Sequence, residues 1–221
     1  MITENWKYRR CAREFIEQHV DYDLIQDIID IIPAIPSQNG YVDHWWVVFG
    51  PEDHKYKEWL VDNVYNFYHS QWDNPKTEYF TALITAPYVF HSFKLHNGSD
   101  QTLVEYIRNN GFHAGVIVSQ VVDKGLDAAP IACMDGWNDN KKNDYCNLIW
   151  EKFGPILENV EQIYDENNIF SINAIVRPMM SIGVGHGASV TVQGYKDYKD
   201  GVTARGKKRT KKAMENVSVW N

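Results

Sequence analysis

The stretch at residues 125–137, GLDAAPIACMDGW, decides the fold because it marks the point where a long helix gives way to a strand. Gly125 suits the position just after a helix end, where a left-handed backbone is needed and glycine adopts it without steric cost. Pro130 and the small residues around it predict a tight connection between helix and strand. The same small residues would let a flat ligand approach the main chain closely, although composition alone favours the simple connection.

Helical and extended patterns alternate on both sides of this stretch. Helices are predicted over residues 21–32, 53–70, 101–123 and 140–153, and the first of them would be capped by Asp21 and ended by Pro33. Strands are predicted over residues 45–49 and 88–95, and one or two more within residues 170–185. No repeat or linker divides the chain, so we predict one mixed α and β domain over residues 1–221.

Composition describes an ordinary globular protein and excludes a disordered or fibrous one. Of the 221 residues, 44% are hydrophobic and 23% are charged, with a formal net charge of −7. A general nucleic-acid coating role is therefore disfavoured, even though residues 205–212, RGKKRTKK, hold six basic residues. We interpret that run as a solvated tail by default. No apolar stretch is long enough to cross a membrane, and three scattered cysteines without a CxxC pair indicate a reducing, cytoplasmic setting.

The amino-terminal motif RRCAR, residues 9–13, is predicted to begin a helix that extends to about residue 19. Arg9 and Arg13 would then share a helix face, where two guanidinium groups could grip a phosphate dianion. Spacing alone favours a solvated basic face over such a site. Downstream, residues 33–44, PAIPSQNGYVDH, form a predicted connector whose exposed main chain is available to a ligand.

Other familiar sites are not supported by the sequence. The segment GVGHGAS, residues 183–189, lacks the spacing of a dinucleotide-binding glycine motif and the Lys-Ser/Thr pair of a phosphate loop. His91 and His96 lie five residues apart, which does not place them on one helix face as metal ligands. Cys146 lies in an amphipathic helical pattern and is interpreted as a buried structural thiol.

Taken together, these segments resemble the FMN-dependent nitroreductase family, in particular the oxygen-insensitive NAD(P)H nitroreductases. The similar motifs, in chain order, are RRCAR at residues 9–13, PSQNGYVDHWW at 36–46, GLDAAPIACMD at 125–135, VGHG at 184–187 and KKR at 207–209. GLDAAPIACMD is the most specific of them. The resemblance spans about residues 5–221, with residues 52–119 similar only in their predicted elements.

The resemblance assigns site residues position by position. It implies that the FMN phosphate is bound by residues of the first and last motifs: Arg9, Arg10, Cys11, Arg13, Lys207 and Arg209. The flavin ring and ribityl chain would be lined by Ser37, Gln38 and Asn39. The main chain near the flavin N5 atom would come from Pro130, Ile131, Ala132 and Cys133.

The resemblance also implies an architecture and an activity. The fold would be α+β and nitroreductase-like, with a central mixed sheet flanked by helices and a C-terminal arm, about residues 190–221, exchanged between the subunits of a homodimer. Bound FMN would take electrons from NAD(P)H and pass them to a small-molecule acceptor, a nitroaromatic or a quinone, by ping-pong hydride transfer. Neither a nucleic acid nor a membrane is implied as a partner.

Two alternatives remain at this point. Cys11 stands where the family usually has serine, and Ala132 and Cys133 replace an acidic residue and a glycine. These differences would suit a specialised relative that performs dehalogenation, flavin fragmentation or ring oxidation. The other alternative is a non-enzymatic interaction protein whose flavin site is degenerate.

Overall fold

The helices and strands of the computed structural model follow the hydrophobic pattern of the sequence over most of the chain. The structure describes residues 11–12, 14–36, 44–65, 78–95, 103–132, 139–157 and 175–188. The helices are α1 (Tyr22–Ile31), α2 (His54–Leu60), α3 (Glu78–Thr85), α4 (Leu103–Asp123) and α5 (Lys142–Leu157). The strands are β1 (His44–Phe49), β2 (Tyr88–Leu95), β3 (Asp127–Ala132) and β4 (Ile175–Gly185).

Helix α1 begins and ends where its flanking residues predict. The Asp21 carboxylate accepts a hydrogen bond from the Asp23 N–H at 3.1 Å, which satisfies one of the N–H groups that a helix start leaves unpaired. Ile25 and Ile28 face the core and are buried. A short 3-10 turn, Ile32–Ala34, follows the helix and contains Pro33, which cannot continue an α-helix. The predicted helix with its Asp21 cap is therefore confirmed.

The long helix α4 closes as predicted at Gly125, whose φ angle of 77° lies in the left-handed region. The Gly125 N–H donates to the Val122 carbonyl, and the Leu126 N–H donates to the Val121 carbonyl. The chain enters β3 immediately after this turn. The expected tight connection between helix and strand is confirmed.

The sheet has the strand order β1-β2-β4-β3, which places β3 at one edge. All three pairings are antiparallel. The predicted α+β class with flanking helices is confirmed, but the described strands do not form a mixed sheet. Among the described residues, a parallel bridge joins Ala128 of β3 to Cys11, which lies outside the four strands. Sequence periodicity identifies strands but does not determine the direction in which neighbouring strands run, so it could not exclude the mixed arrangement.

A hydrophobic core lies on each face of the sheet. On β2, Tyr88 and Phe90 face helices α1 and α4, whereas Val89 and Phe93 face α2, α3 and α5. This alternation follows from the two-residue period of a strand. Full burial of a side chain as large as Phe90 or Phe93 contributes about 1.5–3 kcal/mol relative to exposure. The described elements therefore form three layers, with the sheet in the middle.

The predicted amino-terminal helix is wrong for its described residues. Cys11 forms a bridge to Ala128, and Phe15 forms an antiparallel bridge to Gly187, so this segment is extended. The Ala12 N–H donates to the Ala128 carbonyl at 3.1 Å. Hydrogen bonds to distant strands replace the local bonds of a helix, and the sequence around Arg9 contains no signal for those distant partners.

The predicted single domain over residues 1–221 stays a prediction. The chain divides into the units Met1–Gly187 and Ala188–Asn221, and the elements named above all belong to the first unit. The expected C-terminal arm, about residues 190–221, lies outside the described residues. No described helix is long and apolar enough to cross a membrane.

Candidate functional site

The outer edge of β3 is the centre of the candidate site. On an antiparallel edge strand, the N–H and C=O groups of alternate residues point toward the neighbouring strand or away from it. The Ala128 carbonyl accepts a hydrogen bond from the Ala12 N–H, so it points away from β4. The main-chain groups of Pro130 and Ala132 therefore point outward too. Pro130, which has no N–H to offer, is suited to this edge position.

Ala132 places a main-chain N–H and C=O at the end of this edge. Its side chain is exposed, whereas Ala128 and Ala129 are fully buried. Pro130 and Ile131 are half-buried between these extremes. The strand thus emerges from the core along its length and presents its last residue to solvent. A planar ligand could contact the backbone there without meeting a bulky side chain.

The extended amino-terminal segment brings three of the sequence motifs together. Cys11 and Ala12, from RRCAR, pair with Ala128 of GLDAAPIACMD. The Ile16 N–H donates to the carbonyl of His186, a residue of VGHG, at 2.9 Å. The Phe15 N–H donates to the Thr85 hydroxyl at 3.0 Å, which anchors the segment to the end of α3. Motifs more than 100 residues apart in sequence therefore meet at one edge of the sheet.

The structure describes four of the predicted site residues. Cys11, Pro130, Ile131 and Ala132 lie together along β3 and the segment that pairs with it. Cys11 is half-buried, and its thiol contacts the Ala12 carbonyl with a sulfur-to-oxygen distance of 3.7 Å. The remaining predicted residues lie outside the described residues: Arg9, Arg10, Arg13, Ser37, Gln38, Asn39, Cys133, Lys207 and Arg209.

A buried polar connection behind the site was not predicted. The Asn110 amide of α4 donates to the Ser92 hydroxyl at 2.8 Å, and Ser92 donates to the Met180 carbonyl at 3.4 Å. Met180 is the register partner of Ala132. Both Asn110 and Ser92 are fully buried. Asn110 lies among other polar residues of this helix, so the sequence gives no signal that this amide is buried and paired.

A second polar connection lies on the opposite face of the sheet. The His91 ring shares hydrogen bonds with the Ser181 hydroxyl through Nδ1 at 2.8 Å and with the Tyr145 hydroxyl through Nε2 at 2.6 Å. All three side chains are fully buried. Burial lowers the pKa of His91 to about 3, so the imidazole is neutral at physiological pH. Ser181 lies on β4 and is the register partner of Ile131, so this connection holds in place the strand that pairs with β3.

The structure describes Cys146 and His91, two of the other residues that the sequence singled out, but not His96. Cys146 is buried and its thiol donates to the Ile175 carbonyl at 3.4 Å, which confirms the structural role. Burial raises its pKa and disfavours the reactive thiolate. His91 is a core residue, whereas His96 lies outside the described residues. Within the described ranges, no three metal-ligating side chains converge.

Comparison with known proteins identifies the fold. The sequence matches no family model and no curated protein. Among solved structures, a nitroreductase family protein from Clostridium novyi NT is 18% identical, with a TM-score of 0.57 over 86% of each chain. An FMN-dependent nitroreductase from Clostridium difficile R20291 is 17% identical, with a TM-score of 0.57 over 98% of each chain. The chain has the nitroreductase fold.

A third solved structure with this fold is a nitroreductase that depends on both FMN and NADPH. The FMN- and NADPH-dependent nitroreductase NfnB from Sphigopyxis sp. strain HMH is 13% identical, with a TM-score of 0.55 over 85% of this chain and 88% of that one. The resemblance inferred from short motifs and the three-dimensional similarity thus lead to the same fold. In this chain, the nitroreductase fold places the described parts of RRCAR, GLDAAPIACMD and VGHG around the β3 edge.

Proposed function

We propose that the protein is an FMN-dependent oxidoreductase that uses NAD(P)H to reduce nitroaromatic, quinone or similar acceptors. The observation that carries the proposal is the pairing of Cys11 and Ala12 with Ala128. It joins the two motifs that the family resemblance assigns to opposite ends of one cofactor, the phosphate and the flavin ring. The similarity to structures described as FMN-dependent nitroreductases supports the same class.

The β3 edge fits a flavin ring. A flavin presents a flat face and hydrogen-bonding atoms along its edge, so it needs a main chain that is both accessible and unobstructed. Ala132 offers an outward N–H and C=O beside a single methyl group, and Pro130 keeps the preceding part of the edge free of competing donors. Ser92, Asn110 and Ser181 hold the supporting strands in place through buried hydrogen bonds.

The basic residues of the first and last motifs would hold the phosphate. In this proposal Arg9, Arg10 and Arg13 provide guanidinium groups, and Lys207 and Arg209 add charge from the C-terminal arm. Charge-assisted hydrogen bonds to a dianion are roughly twice as strong as neutral ones. The chain as a whole is acidic, with a net charge of −7, so this concentration of positive charge would select an anionic cofactor.

The main chain and the polar loop would orient the ring. We assign Ser37, Gln38 and Asn39 to the ring and ribityl chain, and the Ala132 N–H to the N5 side of the ring. When bound, FMN supplies hydride transfer, with NAD(P)H as the donor and the small-molecule acceptor as its recipient in a ping-pong order. The protein then contributes position and electrostatics, so a side-chain nucleophile is not required.

Flavin binding is the direct test of this proposal. The purified protein, supplemented with FMN and desalted, is expected to retain the visible absorbance of bound flavin and to oxidise NADH or NADPH in the presence of a nitroaromatic or a quinone. Arg9→Ala and Arg209→Ala should each weaken FMN binding at least about tenfold, since a charged hydrogen bond contributes about 1.5–3 kcal/mol. The exposed Lys142 provides the control, because Lys142→Ala should leave the affinity unchanged. A colourless protein that takes up no FMN would refute the proposal.

We further propose that the protein is a homodimer and that the exposed face of α4 lies in its interface. Phe112 is 54% exposed, so this helix presents a large aromatic side chain to solvent, a residue type that is enriched at interfaces. On the same helix, a Cβ atom added at Gly111 or Gly115 would meet no atom within 4 Å. A protruding aromatic ring beside two glycines is a shape that a second helix can approach closely.

The dimer proposal predicts a different result for two similar substitutions. Phe112→Glu should convert the protein to a monomer, because a carboxylate cannot be buried in an apolar contact without a partner. Ile156→Glu is the matched control, since Ile156 is also exposed, at 66%, but lies on α5. Light scattering coupled to size exclusion measures both masses. A monomeric wild type, or a Phe112→Glu variant that remains dimeric, would contradict the proposal.

A further inference from the structure

A cavity of about 300 Å³ lies beside the turn that follows β1. This volume is at the lower end of the range for sites that bind small molecules. Its walls come from four parts of the fold: α1, the end of β1 with the following turn, the start of β2, and α5. The lining residues that matter here are Tyr22, Glu52, Asp53, Tyr88 and Lys152, with Ile29 and Val48 as an apolar floor.

The charged wall of this cavity has one loosely paired carboxylate. Lys152 is bound tightly to Asp53, with 2.6 Å between Nζ and Oδ1, and Asp53 is buried and also accepts from the Gly50 N–H at 2.8 Å. The same ammonium group is 3.8 Å from Glu52, whose side chain is 72% exposed. Lys152 therefore pairs mainly with Asp53, and it neutralises little of the negative charge of Glu52.

Glu52 is held close to the main chain of the turn. A Cβ atom added at Gly50 would lie only 2.7 Å from the Glu52 Oε2 atom, so the carboxylate folds back over this glycine. The turn itself is closed by a hydrogen bond from the Asp53 N–H to the Gly50 carbonyl at 3.2 Å. The nearby Lys57 donates instead to the carbonyl oxygens of Ala86 and Pro87, and it does not line the cavity.

Two tyrosines complete the cavity. Tyr88 is buried at the start of β2, whereas Tyr22 is 56% exposed at the start of α1. Burial raises the pKa of Tyr88, and the negative charges of Glu52 and Asp21 raise it further. Aromatic faces beside a carboxylate form a favourable environment for an organic cation, through cation–π attraction and ion pairing.

We propose that this cavity binds a small organic ammonium ion with an apolar body. The ammonium group would pair with Glu52 and contact the faces of Tyr22 and Tyr88, and the apolar part would cover Ile29 and Val48. Because the Lys152 ammonium is already bound to Asp53 at 2.6 Å, an anionic ligand would have to compete with a buried carboxylate. This competition favours the cation over a carboxylate ligand of the same size.

The cavity lies apart from Ala132, the residue assigned to the N5 side of the flavin ring. Ala132 lies in the same row of the sheet as Met180, Ser92 and Trp46, whereas the cavity begins beyond Val48 at the other end of β1. With strands about 4.8 Å apart and residues about 3.4 Å apart along a strand, Ala132 and the cavity are separated by roughly 15–20 Å. None of the residues that line the cavity is assigned to FMN, so cation binding can be measured separately from flavin retention.

The test compares three ligands that share one apolar body. 2-Phenylethylamine, its neutral analogue 2-phenylethanol and the anion phenylacetate are titrated into the full-length protein by calorimetry, with saturation-transfer NMR as a second readout. The amine is expected to bind at least fivefold more tightly than the alcohol. Glu52→Gln should remove that difference and leave the binding of the alcohol unchanged. Tyr22→Ala should weaken the amine at least threefold, while Tyr22→Phe, which keeps the ring, should not.

Each alternative outcome contradicts the proposal. Equal affinities for amine and alcohol would show that the charge is not recognised, and stronger binding of phenylacetate would identify an anion site at Lys152. Absence of binding by all three compounds would show that the cavity is not a site for ligands of this size. Glu52 and Tyr22 are both exposed, so their variants are expected to fold, and circular dichroism verifies this before titration.

Discussion

Acidification from pH 7 to pH 4 is expected to destabilise the protein by about 3 kcal/mol through His91 alone. Burial lowers the pKa of this histidine from 6.5 to about 3 in the folded protein. Between these two values the unfolded chain binds a proton that the folded chain does not, so the free energy of unfolding falls as the pH falls. The free energy of unfolding falls by about 1.4 kcal/mol for each pH unit in this range. Well above pH 6.5, His91 is neutral in both states and causes no loss of stability.

Urea unfolding at a series of pH values measures this effect. His91→Gln should be less stable than the wild type at pH 7, because the new side chain cannot match both hydrogen bonds to Ser181 and Tyr145. Its stability should nevertheless depend less steeply on pH between 6.5 and 4. His54 is exposed on α2, and His54→Gln serves as a comparison variant that removes a histidine without disturbing the buried hydrogen bonds of His91. Parallel curves for the wild type and His91→Gln would contradict the prediction.

Gly185→Ala is expected to lower the free energy of unfolding by about 3 kcal/mol, the upper end of the usual cost of overpacking a core. A Cβ atom at this position would lie 2.6 Å from Cδ of Pro87 and 3.1 Å from Cδ1 of Phe15. Both neighbours are poorly able to move: Pro87 is a rigid ring at the start of β2, and Phe15 is 5% exposed in the core. Displacement of Phe15 should also loosen the segment that pairs with β3.

The matched control for this substitution is Gly125→Ala. Gly125 has a positive φ angle, but a Cβ atom there would meet nothing within 4 Å. This variant therefore bears only the cost of a left-handed backbone, about 1–2 kcal/mol. Denaturation with urea distinguishes the two mechanisms, and FMN retention, if the proposed function holds, should decrease more in Gly185→Ala. A loss below 1 kcal/mol in Gly185→Ala would show that the neighbours adapt.

Much of the fold could be predicted from the sequence because its signals are local. The cap at Asp21, the glycine after α4 and the apolar run of β1 each act through residues a few positions away. The extended amino-terminal segment could not be predicted in this way. Its hydrogen bonds go to Ala128 and His186, and short-range periodicity contains no information about partners so far along the chain.

The assignment of residues to the candidate site stays a prediction, and the structure shows only where four of them lie. The residues around Pro130 predicted a tight connection and the family resemblance implied an accessible main chain there, and the structure places Pro130 on an edge strand. The supporting connections could not be anticipated. His91 lies 54 residues from Tyr145 and 90 from Ser181, and its neighbouring residues give no sign of either partner. The phosphate-binding roles of Arg9, Arg10 and Arg13 stay predictions, since these residues lie outside the described residues.

The position of Pro130 also bears on aggregation during folding. An exposed edge strand invites other chains to add to the sheet and thereby starts aggregation. On β3 the described edge is partly occupied by Cys11 and Ala12, and Pro130 interrupts the remaining run of hydrogen-bond donors. A strand from another molecule could not form a continuous ladder there. Because Pro130 has no N–H, it leaves room for a ligand at this edge and also prevents a strand of another molecule from extending the sheet there.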